Sequence, residues 1–228
     1  MKIGSSLWAS SVAVAFAAIL ACTTPSKADN FSFTGSFAVD NDVQLFNFSV
    51  TSPSNVTLRT WSYAGGTNAA GQLIAAGGFD PILALFDSSG AFIPGAQNDD
   101  GVGVAVDPAT ITPTDPTGNA FDTLLSISLD AGSYTVAVMQ FDNLFRDQGP
   151  PGFLEDGQGN FTAKYGCSAG QFCDFDGNNR DGHWAVDILN VNTASPVPGP
   201  IAGAGLPGLI FATGGLLAWW RKRRQQAA

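Results

Sequence analysis

From residue 29 onward, apolar side chains recur at every second position in short runs. Phe31, Phe33 and Phe37 share one face of a first run. Phe46, Phe48 and Val50 share one face of the next, with Asn47 and Ser49 between them. Residues 56–61 alternate again, followed by 82–86, then Leu125, Ile127 and Leu129, then 134–141 and 184–189. A period of two matches the pleat of a strand, so these seven runs are predicted strands with one buried face each. Clusters of Gly, Asp, Asn, Pro and Ser punctuate them. No stretch between 29 and 196 repeats at helical spacing. The predicted fold is all-β: a single antiparallel β-sandwich or jelly-roll domain over 29–196. Three connections look long, at 64–78, 95–119 and 143–182, and loops of that size usually carry function or structure of their own.

The pattern changes at both ends. Residues 1–28 read as a secretory signal peptide. Lys2 gives a positive start, an apolar run follows, and Ser26, Lys27 and Ala28 place cleavage before Asp29. Cleavage as a lipoprotein before Cys22 is the rival, with Leu20 a poor fit. At the other end, residues 197–228 read as a tail. Ser195-Pro196-Val197-Pro198-Gly199-Pro200 is a stiff linker. Residues 201–220 carry no charge and are long enough, at about 1.5 Å per residue, to cross a bilayer as a transmembrane helix. Trp219 and Trp220 stand where an interfacial belt belongs, and Arg221, Lys222, Arg223 and Arg224 form a basic stop that orients the domain outward.

Charge narrows the partners. Residues 29–196 hold all nineteen acidic residues but only Arg59, Arg146, Lys164 and Arg180 of the basic ones, a formal net charge of −15. That argues against nucleic acid and against anionic membrane surfaces as partners and allows cation binding. All the acids but Glu155 are Asp, a turn and loop residue. Cys167 and Cys173, six apart, are expected to form a small disulfide loop in an oxidising compartment, with a metal pair or free thiols as the other readings.

Calcium is the candidate cofactor. Asp80, Asp87, Asn98, Asp99, Asp100 and Asp107 crowd around one predicted strand and its following loop, and such oxygen donors suit a hard cation. A second cluster holds Asp174, Asp176, Asn178 and Asp181. There Gly177 comes two positions too early for an EF-hand, and no Glu stands at the twelfth position. The alternative for both clusters is a set of turn and capping aspartates. Catalytic sets fare poorly. His183 is the only imidazole and no nucleophile elbow accompanies it. Trp61, Tyr63, Phe79 and Trp184 are either a sugar-stacking platform or part of the core.

The tail resembles the PEP-CTERM sorting signal of Gram-negative bacteria, on Val197-Pro198-Gly199-Pro200, the apolar segment and the arginine cluster. That family usually has Glu between the prolines, where this chain has Gly199, so the tail is a variant. The central part is similar to a family of exported proteins with such tails. The residues that carry this are Phe46-Asn47-Phe48, Trp61-Ser62-Tyr63-Ala64-Gly65-Gly66, Phe79-Asp80-Pro81, Asn98-Asp99-Asp100-Gly101 and Trp184-Ala185-Val186-Asp187. It also resembles the bacterial pre-peptidase C-terminal domain, a β-sandwich often stabilised by calcium. The resemblance implies processing by signal peptidase and an exosortase-type membrane protease. It further implies passage through the inner membrane on the C-terminal helix, then release to the cell surface, often with exopolysaccharide. The expected role is a non-catalytic cell-surface or matrix protein. A carbohydrate-binding module is the alternative, and an accessory domain of a secreted hydrolase or protease the third reading.

Overall fold

The computed structural model describes residues 27–101, 113–146, 148 and 152–198. The predicted signal peptide and residues 199–228 lie outside the described residues, apart from Lys27 and Ala28. Among the described residues no helix is long and apolar enough to cross a membrane.

The described chain is all-β, with antiparallel sheets packed together as in a β-sandwich. One sheet has the order β1 (Asp29–Ser36), β12 (His183–Val191), β3 (Ser54–Thr60), β8 (Leu124–Leu129). The other has the order β13 (Thr193–Pro196), β2 (Val43–Val50), β9 (Gly132–Gln140), β6 (Pro81–Phe86), β7 (Phe92–Asn98). Two hairpins, β4 (Gly66–Thr67) with β5 (Leu73–Ile74) and β10 (Phe145–Arg146) with β11 (Gly152–Phe153), stand apart from these sheets.

The alternation explains the packing. Phe46, Phe48 and Val50 of β2, Leu83 and Leu85 of β6, and Val136 and Val138 of β9 face inward. They meet Val56 and Leu58 of β3, Leu125 and Leu129 of β8, and Trp184, Val186 and Ile188 of β12. Burying a side chain of this size stabilises the fold by about 1.5–3 kcal/mol before entropy is counted. Gly35 pairs with Trp184 across β1 and β12, and a Cβ there would fall 2.2 Å from the indole. The ring therefore lies where glycine leaves room.

β6 departs from the one-face pattern, because all six of its residues are buried. Its second face, Ile82, Ala84 and Phe86, joins Ala137 and Met139 in a separate apolar layer outside the sandwich. Phe145 and Phe153 of the β10–β11 hairpin cover that layer, Phe145 meeting Phe86 edge-on at 4.8 Å. The described residues of the long connection 143–182 thus form a structured cap. It also holds a 3-10 turn, Phe161–Tyr165. Cys167 and Cys173 are joined as a disulfide, with Cα atoms 5.5 Å apart.

Two strands of the main sheets went unpredicted, besides the four two-residue strands of the hairpins. β7 contains Pro94 and Gly95, which interrupt the alternation; it is an edge strand, where such residues are tolerated. β13 contains Pro196 and forms the opposite edge. The register sets a common pole. Val43 pairs with Met139, Pro81 with Gln140, and Leu83 with Asn98. So β2 and β6 start where β7 and β9 end. β13 runs toward the same pole: Pro196 pairs with Phe46, and the Val197 amide donates to the Leu45 carbonyl at 2.8 Å.

Candidate metal centre

Asp80 immediately precedes β6, and Asp99 and Asp100 immediately follow β7, its neighbour in the sheet. Adjacent antiparallel strands therefore bring three carboxylates to one pole. The backbone is braced from several sides. The Phe141 amide donates to the Asp80 carbonyl at 2.8 Å. The Asn98 side-chain amide donates to the carbonyls of Asp100 (2.6 Å) and Leu124 (2.8 Å). The Thr123 hydroxyl lies against the carbonyls of Pro81 and Asp99.

One oxygen from each of Asp80, Asp99 and Asp100 falls within 4.8 Å of the others. Ligands around a single calcium ion, each about 2.3–2.6 Å from it, can be no more than about 5 Å apart, so this spacing fits one ion. Asp80 is 4% exposed, and its Oδ1 is buried with no hydrogen-bond partner; Asp99 Oδ1 is likewise buried without a partner. Buried unpaired oxygens of this kind are costly unless something compensates them. Burial pushes the Asp80 carboxyl well above the usual range, and the charges of Asp99, Asp100, Asp122 and Asp174 push it further. Burial, then Asp100 and Asp142, raises Asp99 to about 7. Asp100 is raised by burial. Without a cation the three repel one another. A divalent ion would favour their charged form, and all-oxygen donors select a hard ion such as calcium or magnesium.

The other predicted ligands go elsewhere. Asn98 is next to the triad but spends its amide on the brace just described. Asp87 follows the far end of β6, about 20 Å away by strand rise. There it accepts from the Ser89 amide (2.8 Å) and hydroxyl (2.6 Å) and the Ala91 amide (3.1 Å), as a turn residue does. Asp107 lies outside the described residues. In the second cluster, Asp174 accepts from Tyr63 Oη (2.9 Å) and Arg180 Nε (2.9 Å), and Asn178 donates into the same carboxylate. Asp176 accepts from Asn119 Nδ2 at 3.0 Å. Asp181 accepts from the His183 amide at 2.9 Å and lies against His183 Nδ1. These four do not converge on one point: Asp174 is already neutralised by Arg180.

No protein-family model and no curated protein matches the sequence.

Arg180 is a structural residue of this region that sequence reading did not single out. Its guanidinium lies 8% exposed between Asp174 and Asp115, at 2.9 Å from each, and 3.6 Å from the Tyr63 ring centroid. The available signal was its place among five carboxylates and amides (Asp174, Asp176, Asn178, Asn179 and Asp181) in a stretch, 29–196, with only four basic residues. Asp122 was missed as well. It is fully buried and accepts from Thr60 Oγ1 (2.9 Å) and the amides of Tyr63 (3.1 Å) and Ala64 (2.8 Å).

The sugar-platform reading of the four aromatics is corrected by their burial. Tyr63 and Phe79 are fully buried and Trp184 nearly so. Trp61 is covered by Arg59, 3.7 Å from its ring, and donates from Nε1 to Asp187 at 2.7 Å. Among the described residues the exposed aromatic is instead Phe175, at 64%. It packs on Tyr165 (5.6 Å) and Phe141 (6.4 Å), beside the triad. Val197 and Pro198 lead out of β13 at this same pole; Gly199, Pro200, Arg221, Lys222, Arg223 and Arg224 lie outside the described residues.

Proposed function

We propose that the chain is an exported, non-catalytic surface protein whose β-sandwich is completed by one divalent cation, calcium by preference, at Asp80, Asp99 and Asp100. The observation that carries the cation is the unpartnered, buried Asp80 Oδ1 inside a three-carboxylate cluster. A second observation supports a structural rather than catalytic role. The sole imidazole, His183, has Nδ1 against Asp181 and Nε2 3.0 Å from the Ala75 carbonyl oxygen, so it braces a loop. Export rests on the signal-like residues 1–28, the sorting-type tail and the disulfide. The tail directs the protein to the inner membrane, and an exosortase-type protease then releases it to the surface, where exopolysaccharide is an accessible partner.

Thermal unfolding of the full-length chain in detergent tests the cation. Calcium at one hundred times its dissociation constant is expected to stabilise the fold by about 2.7 kcal/mol. The Asp80→Asn variant should lose that response. An equal shift in both proteins, or none in the wild type, removes the site from the account.

A further inference from the structure

The route by which the chain leaves the sandwich brings the triad within reach of a membrane if residues 201–220 are embedded in one. Among the described residues Val197 is the last tied to a sheet, through the Leu45 carbonyl. Residues 198–200 alone separate it from the uncharged segment 201–220. Three extended residues span at most about 10 Å. β13, β2, β9 and β6 are successive neighbours, so the start of β6 lies about three strand spacings, roughly 15 Å, from that exit. The pole that carries Asp80, Asp99 and Asp100 therefore lies within about 25 Å of the start of that segment, in reach of lipid headgroups wherever the segment is embedded.

The same pole combines an exposed aromatic that suits a phospholipid interface with carboxylates that need a cation to approach one. Phe175 projects at 64% exposure from a cluster with Tyr165 and Phe141, and the Phe141 amide is the group bonded to the Asp80 carbonyl. Aromatic side chains favour the membrane interface. Beside it stand carboxylates that an anionic leaflet repels at distances below a Debye length, about 8 Å. Three carboxylates leave several of the six to eight calcium positions to other oxygens.

We propose that this pole is a cation-dependent membrane-docking face: calcium held by Asp80, Asp99 and Asp100 is bridged to phospholipid phosphates, with Phe175 seated in the interface. This rests on the cation site and the membrane-embedded tail proposed above. The occupant is the lipid surface beneath the embedded tail. Docking orients the domain before release, and loss of the cation lets it lift.

The test uses the full-length chain with Cys22→Ser, reconstituted in nanodiscs of phosphatidylethanolamine with about a quarter phosphatidylglycerol. An environment-sensitive thiol dye is placed at Phe175→Cys, or at Ser52→Cys in the exposed turn of the opposite pole. Calcium should blue-shift the dye at position 175 but leave position 52 unchanged. Chelator should reverse the shift, and Asp80→Asn should abolish it. Terbium luminescence in the same discs reports the ion itself. Terbium binding without a shift at 175 overturns docking and leaves the cation site standing. No terbium binding overturns both. A shift at 175 that needs no cation, or an equal shift at 52, overturns the bridge.

Discussion

At the scale of single residues, the pole is a place where charge is stored against resistance. Asp99 has a folded-state value of about 7 against an ordinary 3.8, so the folded form holds its proton more tightly than the unfolded chain. Without a cation, its penalty is absent below 3.8 and grows as pH rises through about 7. Asp80 and Asp100 shift in the same direction. Asp115 does the reverse. Hydrogen bonds from Thr117, Arg180 and Asn119 outweigh its desolvation and hold it at about 2, so its contribution is present above 3.8 and fades as pH falls toward about 2. In chelator, the urea midpoint is therefore expected to fall between about pH 5 and about pH 8, and calcium at about pH 8 should restore it. A midpoint that rises over that interval in chelator would show that the triad is not strained. The candidate ligands were legible as oxygen-rich residues around one strand. Which three converge was not, because Asp80 and Asp99 are neighbours only through the pairing of β6 with β7.

At the scale of elements, Arg180 does for the loops what the sandwich core does for the strands. It joins the connection ending at β12 to the segment before β8, through Asp174 and Asp115, and stacks on Tyr63 after β3. Removing one partner of a buried ion pair leaves the other charge uncompensated, which costs about 3–5 kcal/mol. Arg180→Met should lower stability by about that amount in urea unfolding, more than Arg146→Met, whose guanidinium bonds the Phe153 carbonyl at an exposed site. Equal effects would mean that the loops hold without the pair. Six of the strands were readable because each has one inward face, and β6 was readable from its continuous apolar run. The cap over β6 and β9 was not, since Phe145 and Phe153 stand in two-residue strands too short to show any period.

At the scale of the whole molecule, the pole that gathers the carboxylates is the pole from which the tail departs. Three of the chain's nineteen acidic residues, Asp80, Asp99 and Asp100, are gathered by topology at that pole. The sequence could not show this, because it depends on β13 running back along β2 as an edge strand. The proposed export and processing predict a mature species that begins near Asp29 and ends near Pro198, detectable by intact mass spectrometry of surface or culture fractions. A membrane-bound species that keeps residues 201–228 would mean a permanent anchor. The most direct test of the cation site is a calorimetric titration of calcium into the full-length chain and its Asp80→Asn variant. The account predicts one ion per wild-type chain, with protons released on binding, and no such event in the variant. Binding of equal strength in both proteins, or none in either, would contradict it.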